Sequence, residues 1–315
     1  MARQLKARSA GFAALILALA LLGVAPAVLR EYDTQILLRM LLALVLAESW
    51  NLLAGYGGLV SLGTSSAVGL GGYVLVGLLN HSILPLPVVI LAAALSGAVL
   101  AALASPGLLR LRGLYFTVGT LALAEALRLV MINVNQFGGA TGLFLNRDPP
   151  ALGALVWIAV GLLLVTLLVM EFCAHSGVSL LLRAVRDDQD VAAQMGVRPF
   201  RVKLAAFAAA SALMAAAGGL QALKLGAIEP YGMFGLRWSI DTLAMVVIGG
   251  LGTRAGPVIG VVLVMLSGEL LADYPEAHLA LTGLLMMLAM RFAPRGVAGL
   301  LAVLPARWRA RTTGA

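Results

Sequence analysis

Side chains that support metal or covalent chemistry are scarce in this sequence. His81, His175 and His278 stand far apart and belong to no H-E-x-x-H or similar ligand pattern, so no metal site is expected. Cys173 is the only cysteine, which excludes an intrachain disulfide and a cysteine-built zinc centre. Lys6, Lys203 and Lys224 all lie outside any G-x-x-x-x-G-K-[ST] setting, and no G-x-S-x-G elbow occurs, so no catalytic residue and no cofactor are assigned to this chain. The chemistry that remains is ionic. Arg39, Glu48, Glu125, Arg128, Asp241 and Glu269 fall inside apolar runs, where a charge costs at least about 2.5–3.5 kcal/mol near mid-bilayer. Glu125 and Arg128, at i and i+3, share one helix face, and a self-contained pair and a role on a transport path both fit them. Glu48, Asp241 and Glu269 are placed near the membrane interfaces, where the cost is small and no function is required.

The second chemical feature is the polar loop Leu180-Leu181-Leu182-Arg183-Ala184-Val185-Arg186-Asp187-Asp188-Gln189-Asp190-Val191-Ala192-Ala193-Gln194-Met195-Gly196. It combines helix formers, apolar positions and mixed charge, with Gly196 as the expected C-cap. Three aspartates in four residues oppose binding to anionic lipid, so a short helix that docks a partner protein is the better reading.

The elements that must position these residues follow from hydropathy. Hydrophobic residues make up 61% of the 315 and charged ones 11%, against about 45–50% and 25% in soluble domains. Apolar runs of about 20 residues are long enough to cross a bilayer. They suggest an all-α, polytopic membrane protein forming one domain over 1–315, with about ten crossings near 11–29, 35–54, 60–79, 83–105, 113–132, 151–172, 204–223, 239–253, 257–273 and 277–292. Arg3, Lys6 and Arg8 precede the first run, and Ala25-Pro26-Ala27 resembles a signal-peptidase site. That run is longer than the usual h-region of about 7–15 residues, which favours an uncleaved helix. The net charge of +8 sits in clusters at the ends of apolar runs, which argues for topology rather than nucleic-acid binding. With the start of the chain inside, Arg110, Arg112, the loop 174–203, Arg254 and Arg291 to Arg311 are all cytoplasmic, as are both termini. Only Arg30, Arg147, Lys224 and Arg237 fall outside.

Two glycine clusters interrupt this pattern. Gly55, Gly57, Gly58, Gly63, Gly69, Gly71, Gly72 and Gly77 crowd one crossing; Gly249, Gly250, Gly252, Gly256 and Gly260, broken by Pro257, crowd another. Glycine weakens an isolated helix, so close packing against a neighbour or an irregular segment lining a watery path must compensate. Around Pro257 a turn between two half-spans competes with a continuous small-residue interface. Broken segments in both halves also point to a substrate path.

At this point the motifs resemble a known family. Arg183 to Asp188 is similar to the R-A-[IV]-R-D-[DN] segment of the LivM family, permease subunits of branched-chain amino acid ABC importers. Asn51-Leu52-Leu53-Ala54-Gly55-Tyr56-Gly57-Gly58-Leu59-Val60-Ser61-Leu62-Gly63 resembles that family's N-L-L-x-G-Y-x-G-x-x-S-L-G segment. Arg112-Gly113-Leu114-Tyr115-Phe116 with Thr120-Leu121-Ala122, the stretch Met245 to Pro257, and Arg291 to Gly296 match further segments in order. The chain departs at Thr64 to Val68, where the family continues differently, and at Gln189 and Asp190 in the loop.

The resemblance implies an ABC importer permease of the LivH/LivM type in the bacterial inner membrane. It implies a second, LivH-like permease, two cytoplasmic LivG/LivF-like ATPases that use ATP and magnesium, and an external substrate-binding protein as partners. Arg183, Ala184, Val185, Arg186, Asp187, Asp188 and Gly196 would form the ATPase-coupling element. Asn51, Gly55, Ser61, Gly63, Thr64, Ser65, Tyr115, Glu125, Gly249, Gly250 and Gly252 would line or gate the path. The substrates expected are leucine, isoleucine and valine. A permease for urea, amides or another small solute, an ion-coupled secondary transporter and a membrane scaffold are the alternatives.

Overall fold

The computed structural model describes residues 23, 25–271, 273–292 and 296–300. Most of the expected crossing at 11–29 lies outside the described residues, as does the side chain of His278. Apolar runs become helices wherever nothing interrupts their backbone hydrogen bonding, as a bilayer requires. The helices are α1 (Glu31–Asn51), α2 (Thr64–His81), α3 (Leu86–Leu108), α4 (Leu114–Asn133), α5 (Leu152–His175), α6 (Val178–Asp187), α7 (Gln189–Gln194), α8 (Pro199–Leu225), α9 (Pro230–Met233), α10 (Arg237–Gly249), α11 (Gly256–Leu270) and α12 (Pro275–Phe292). Among the described residues, six helical segments are long and apolar enough to cross a membrane: Glu31–Tyr56, Leu86–Leu108, Leu114–Asn133, Leu152–His175, Pro199–Leu225 and Pro230–Gly249. The expected crossings at 60–79, 257–273 and 277–292 also hold helices, namely α2, α11 and α12. Among the described residues the regular structure is helical apart from β1 (Leu143–Phe144) and β2 (Ala227–Ile228), which pair antiparallel with Leu143 opposite Ile228.

The centre of the bundle is α8, which packs between α2 and α3. Its inner surface is built from Ala210, Ala215, Ala216, Ala217, Gly218 and Gly219, all buried. Small residues let backbones approach closely, and in lipid that van der Waals contact replaces the hydrophobic drive available in water. A Cβ on Gly71 would strike the Ala215 backbone, and one on Gly218 would strike Val68. Packing therefore accounts for much of the first glycine cluster.

Where sequence and structure differ, the cause is a broken helix. The crossing expected at 60–79 begins only at Thr64, because α1 widens into a π-helical turn over Leu52–Tyr56 and the chain then runs non-helically to Gly63. The crossing expected at 239–253 ends at Gly249, with Gly250 and Gly252 at φ of 135° and 71°, values that only glycine adopts without strain. Pro257 sits in the first turn of α11, so the turn between two half-spans is what forms there, and α10 and α11 pack closely through Gly249 and Gly260. The loop at 174–203 is not one helix but two. Asp188 ends α6 and caps α7, its carboxylate accepting from the Asp190 and Val191 amides at 2.9 and 3.0 Å.

The bundle has two distinct ends. One carries α6, α7, the π turn and the Gly252 turn. The other carries the β1–β2 pairing, fastened to α2 because Asn80 donates to the Phe144 carbonyl at 2.8 Å and accepts from the Asn146 amide at 2.9 Å.

Candidate translocation and coupling site

Asn51 closes a clasp between residues two hundred positions apart. Its Oδ1 accepts from the Gly252 amide at 2.8 Å, and its Nδ2 donates to the Thr253 carbonyl at 3.1 Å. The two glycine clusters of the sequence therefore meet here. A Cβ on Gly55 would lie 2.6 Å from the Gly252 nitrogen, so only glycine permits this approach. Thr253 holds the turn from within, its hydroxyl donating to the Gly250 carbonyl at 2.8 Å and accepting from the Gly256 amide at 3.0 Å. Glu48 is buried among the helices one helical turn before Asn51. It is the only buried carboxylate among the described residues.

Beyond the clasp, the irregular segment up to Gly63 has its backbone satisfied by side chains, as a non-helical stretch inside a membrane protein needs. Trp50 Nε1 donates to the Ser61 carbonyl at 2.8 Å, and Thr117 to the Val60 carbonyl at 2.8 Å. Thr120 Oγ1 accepts from the Leu62 amide at 3.1 Å, and Ser239 donates to the Leu62 carbonyl at 2.7 Å. Ser61 accepts from the Gly63 amide at 3.1 Å. At the start of α2 the Ser65 amide reaches the Ser239 hydroxyl at 3.3 Å. The Thr64 and Ser65 hydroxyls themselves are buried there without a hydrogen-bond partner. Two unpaired hydroxyls beside the N-terminal amides of a helix offer donors to a polar solute that reaches them.

Of the two short helices, α6 docks directly on the clasp. Leu182 and Val185, the buried face of α6, point inward, with Leu182 beside Gly57. Arg186 lies over Gly58 and donates from Nη1 to the Gly55 carbonyl at 2.8 Å. Arg183 sits 5.5 Å above the Tyr56 ring, a cation–π distance. Asp187 pairs with Arg186 at 3.2 Å and is otherwise exposed. Ala184 supplies the carbonyl that receives the Asp188 amide at 3.1 Å. The two backbone donors at Val191 and Asp190 hold the Asp188 carboxyl below the usual aspartate range. Gly196, at φ 84°, ends α7 in a Schellman pattern: its amide donates to the Ala193 carbonyl and that of Val197 to the Ala192 carbonyl. Gln189 accepts from Lys203 of α8 at 2.6 Å. The outward surface keeps Leu180, Val191 and Met195 exposed beside Arg183 and Asp187.

Of the residues named from sequence, Asn51, Gly55, Gly250 and Gly252 meet in the clasp, Gly249 packs on α11, and Ser61, Gly63, Thr64 and Ser65 form the adjoining segment. Tyr115 and Glu125 do not join them. Tyr115 is exposed at the start of α4, and Glu125 is half-exposed and bound by the Arg128 guanidinium through both carboxylate oxygens, the Nε contact being 2.9 Å. Trp50, Thr117, Ser239 and Thr253 were not singled out; only Trp50, adjoining Asn51, and Thr253, inside the second glycine cluster, carried a signal.

The family model described as branched-chain amino acid transport system / permease component matches residues 32–290. The high-affinity branched-chain amino acid transport system permease proteins LivM of Salmonella typhimurium and Escherichia coli K12 are each 27% identical, over 90% of this chain and 74% of theirs. No solved structure matches. The match spans the clasp, the irregular segment and the coupling helices alike, and the chain therefore belongs to the permease-component family of branched-chain amino acid transport systems.

Proposed function

We propose that this chain is one of two permease subunits of an ATP-driven importer of branched-chain amino acids, with both termini cytoplasmic in a bacterial inner membrane. A similar second permease completes the path, two separate ATPases bind and hydrolyse ATP at the α6 end, and an external binding protein delivers substrate. The observation that carries this reading is the Arg186 contact with the Gly55 carbonyl, 2.8 Å long, because it joins the docking surface to the interior. Force applied to α6 passes through Arg186 into the π turn and from there, through Asn51, to the Gly252 turn. Energy therefore reaches the path by displacement of packed elements, and the two arrangements are biased by the ATPases' differential binding. Thr64 and Ser65 supply hydroxyl donors on the path.

The test is ATP-driven uptake of labelled leucine into proteoliposomes holding the assembled importer. Replacing Asp187 and Asp188 by alanine is expected to weaken ATPase docking and uptake together while insertion is unaffected; unchanged uptake would sink the coupling role. A second reading rests on Glu48, whose buried carboxylate forms no ion pair among the described residues and suits an ion-coupled transporter. Uptake that persists without ATP and collapses with the ion gradient, and that Glu48→Gln abolishes, selects that reading instead.

A further inference from the structure

Helix α2 buries three hydroxyls that find no hydrogen-bond partner among the described residues: those of Thr64, Ser65 and Tyr73. An unpaired buried polar group destabilises a fold, so three on one helix call for a reason. Ser65, Gly69 and Tyr73 stand at i, i+4 and i+8, on one face and within about 12 Å of rise along the axis. The ring of Phe234, from the turn between α9 and α10, lies against the middle of that stripe. A Cβ on Gly69 would sit 2.5 Å from this ring, and the Tyr73 ring centre is 5.8 Å from its centre. At the far end, Ser239 of α10 receives the Ser65 amide at 3.3 Å and leaves the Ser65 hydroxyl unpaired. An apolar ring, 2% exposed, thus occupies the middle of a stripe that ends in two unpaired hydroxyls, and it can satisfy neither.

The stripe also lies on a line through the molecule. Towards the end that carries β1 and β2, exposed Glu229 is near enough for its charge to act on the Tyr73 hydroxyl. Towards the other end, Ser239 donates to the Leu62 carbonyl, and the irregular segment leads on to the clasp. Phe234 follows a helix of only four residues and is flanked by Gly232 and Gly235, while Trp238 Nε1 anchors the Gly232 carbonyl at 2.9 Å. The ring can therefore turn while its backbone stays in place. We propose that Phe234 is the plug of this path: its ring fills the slot over Gly69 in the conformation described, and a transported solute takes its place. The solute's polar groups then pair with the Ser65 and Tyr73 hydroxyls, and its apolar part rests where the ring was. A hydroxyl both donates and accepts, so either end of the slot serves a polar group of either kind. Ser65 and Tyr73 are contact residues and Phe234 is a gate. This deepens the permease reading and rests on it.

Tyr73→Phe and Ser65→Ala each remove one oxygen, and stability and kinetics respond to that loss in different ways. Removing a hydroxyl that nothing satisfies is expected to leave the melting temperature of the purified chain at or above the parent's. In proteoliposomes holding the assembled importer, each change should raise the KM for ATP-driven leucine uptake about three- to tenfold, as loss of a neutral hydrogen bond implies. Phe234→Ala should pass leucine without ATP at least about tenfold faster than the parent, and Phe234→Leu, which keeps an apolar side chain, should restore most of the seal. Lower melting temperatures with an unchanged KM would make the hydroxyls structural and overturn the inference, as would a parental leak in Phe234→Ala. If Phe234→Ala does not assemble, the two hydroxyl variants decide. A separate arm uses the chain alone in nanodiscs, carrying Cys173→Ser and Ser65→Cys, with a small methanethiosulfonate as the probe. Adding Phe234→Ala should speed labelling at position 65 by at least about tenfold. Faster labelling beside a parent assembly without ATP-driven uptake counts against the transport reading and for the plug. Equal labelling beside normal parental uptake counts against the plug alone.

Discussion

At the scale of single residues, the proposed function makes Arg186 the group whose removal is expected to separate ATPase docking from transport. Its guanidinium leaves the exposed face of α6 and reaches inward to the Gly55 carbonyl, while Asp187, Leu180 and Met195 stay outside. Arg186→Ala is therefore expected to leave ATPase binding within a few-fold of the parent while lowering leucine uptake about tenfold or more, since a charge-assisted hydrogen bond contributes about 1.5–3 kcal/mol. Pull-down of the ATPases beside uptake measures both; loss of docking and uptake in equal proportion would place Arg186 in the docking surface only. Gly55→Ala acts one contact further in. The new methyl would lie 2.6 Å from the Gly252 nitrogen, inside backbone that cannot yield without opening the clasp. Overpacking of this kind costs about 1–3 kcal/mol, and a lower melting temperature in detergent is the expected readout. Gly77→Ala, where nothing lies within 4 Å of the added carbon, is the control that should melt with the parent.

At the scale of elements, the junction between α6 and α7 depends on one carboxylate. Asp188 caps α7 through the Val191 and Asp190 amides, and these bonds hold its carboxyl below the ordinary aspartate value. A group depressed in the folded state adds stability above its unfolded value, about 3.9, and loses it as pH falls through the folded one. Protection of the Val191 amide, its exchange rate measured against the intrinsic rate at each pH, should thus hold at neutral pH and be lost only well below pH 4. Asp188→Asn should retain the cap, because asparagine caps well, and remove the acid-dependent step, whereas Asp188→Ala should fray α7 at every pH. The C-cap at Gly196 was legible in the sequence; the split at Asp188 was not, because a run of helix formers with alternating charge contains nothing that breaks a helix. The same holds for the delayed start of α2. Leu59, Val60 and Leu62 read as apolar span, and the side chains of Thr117, Thr120 and Ser239, distant in sequence, join Trp50 and Ser61 in satisfying a backbone that leaves the helix there. The Pro257 turn was one of two readings the sequence left open; proline at the start of a helix carries a local signal for it, but the small-residue spacing Gly252, Gly256, Gly260 fits a continuous interface equally well.

At the scale of the whole molecule, the sequence identified broken elements in both halves but not that they touch, because nothing local relates Asn51 to Gly252. It also grouped Tyr115 and Glu125 with the path, and in the isolated chain they stand apart on α4. That helix buries only Phe116, Thr120, Ala124 and Met131, one narrow stripe, and turns Tyr115, Val118, Leu129 and Val130 outward. Glu125 is half-exposed near that surface, paired to Arg128, whose guanidinium also lies 4.8 Å from the Tyr231 ring centre. An ion pair facing hydrocarbon is expensive even when neutral overall, since both ions give up water for one contact. A face that carries such a pair is better suited to protein than to lipid, which makes it the surface expected against the second permease. A photo-crosslinker at Tyr115 or Leu129 should then join the second permease in the assembled importer and only lipid in the chain alone, while one at Leu103, exposed on α3, should join lipid in both. Crosslinks to lipid from Tyr115 and Leu129 in the assembled importer would move the subunit interface elsewhere and remove both Tyr115 and Glu125 from the path.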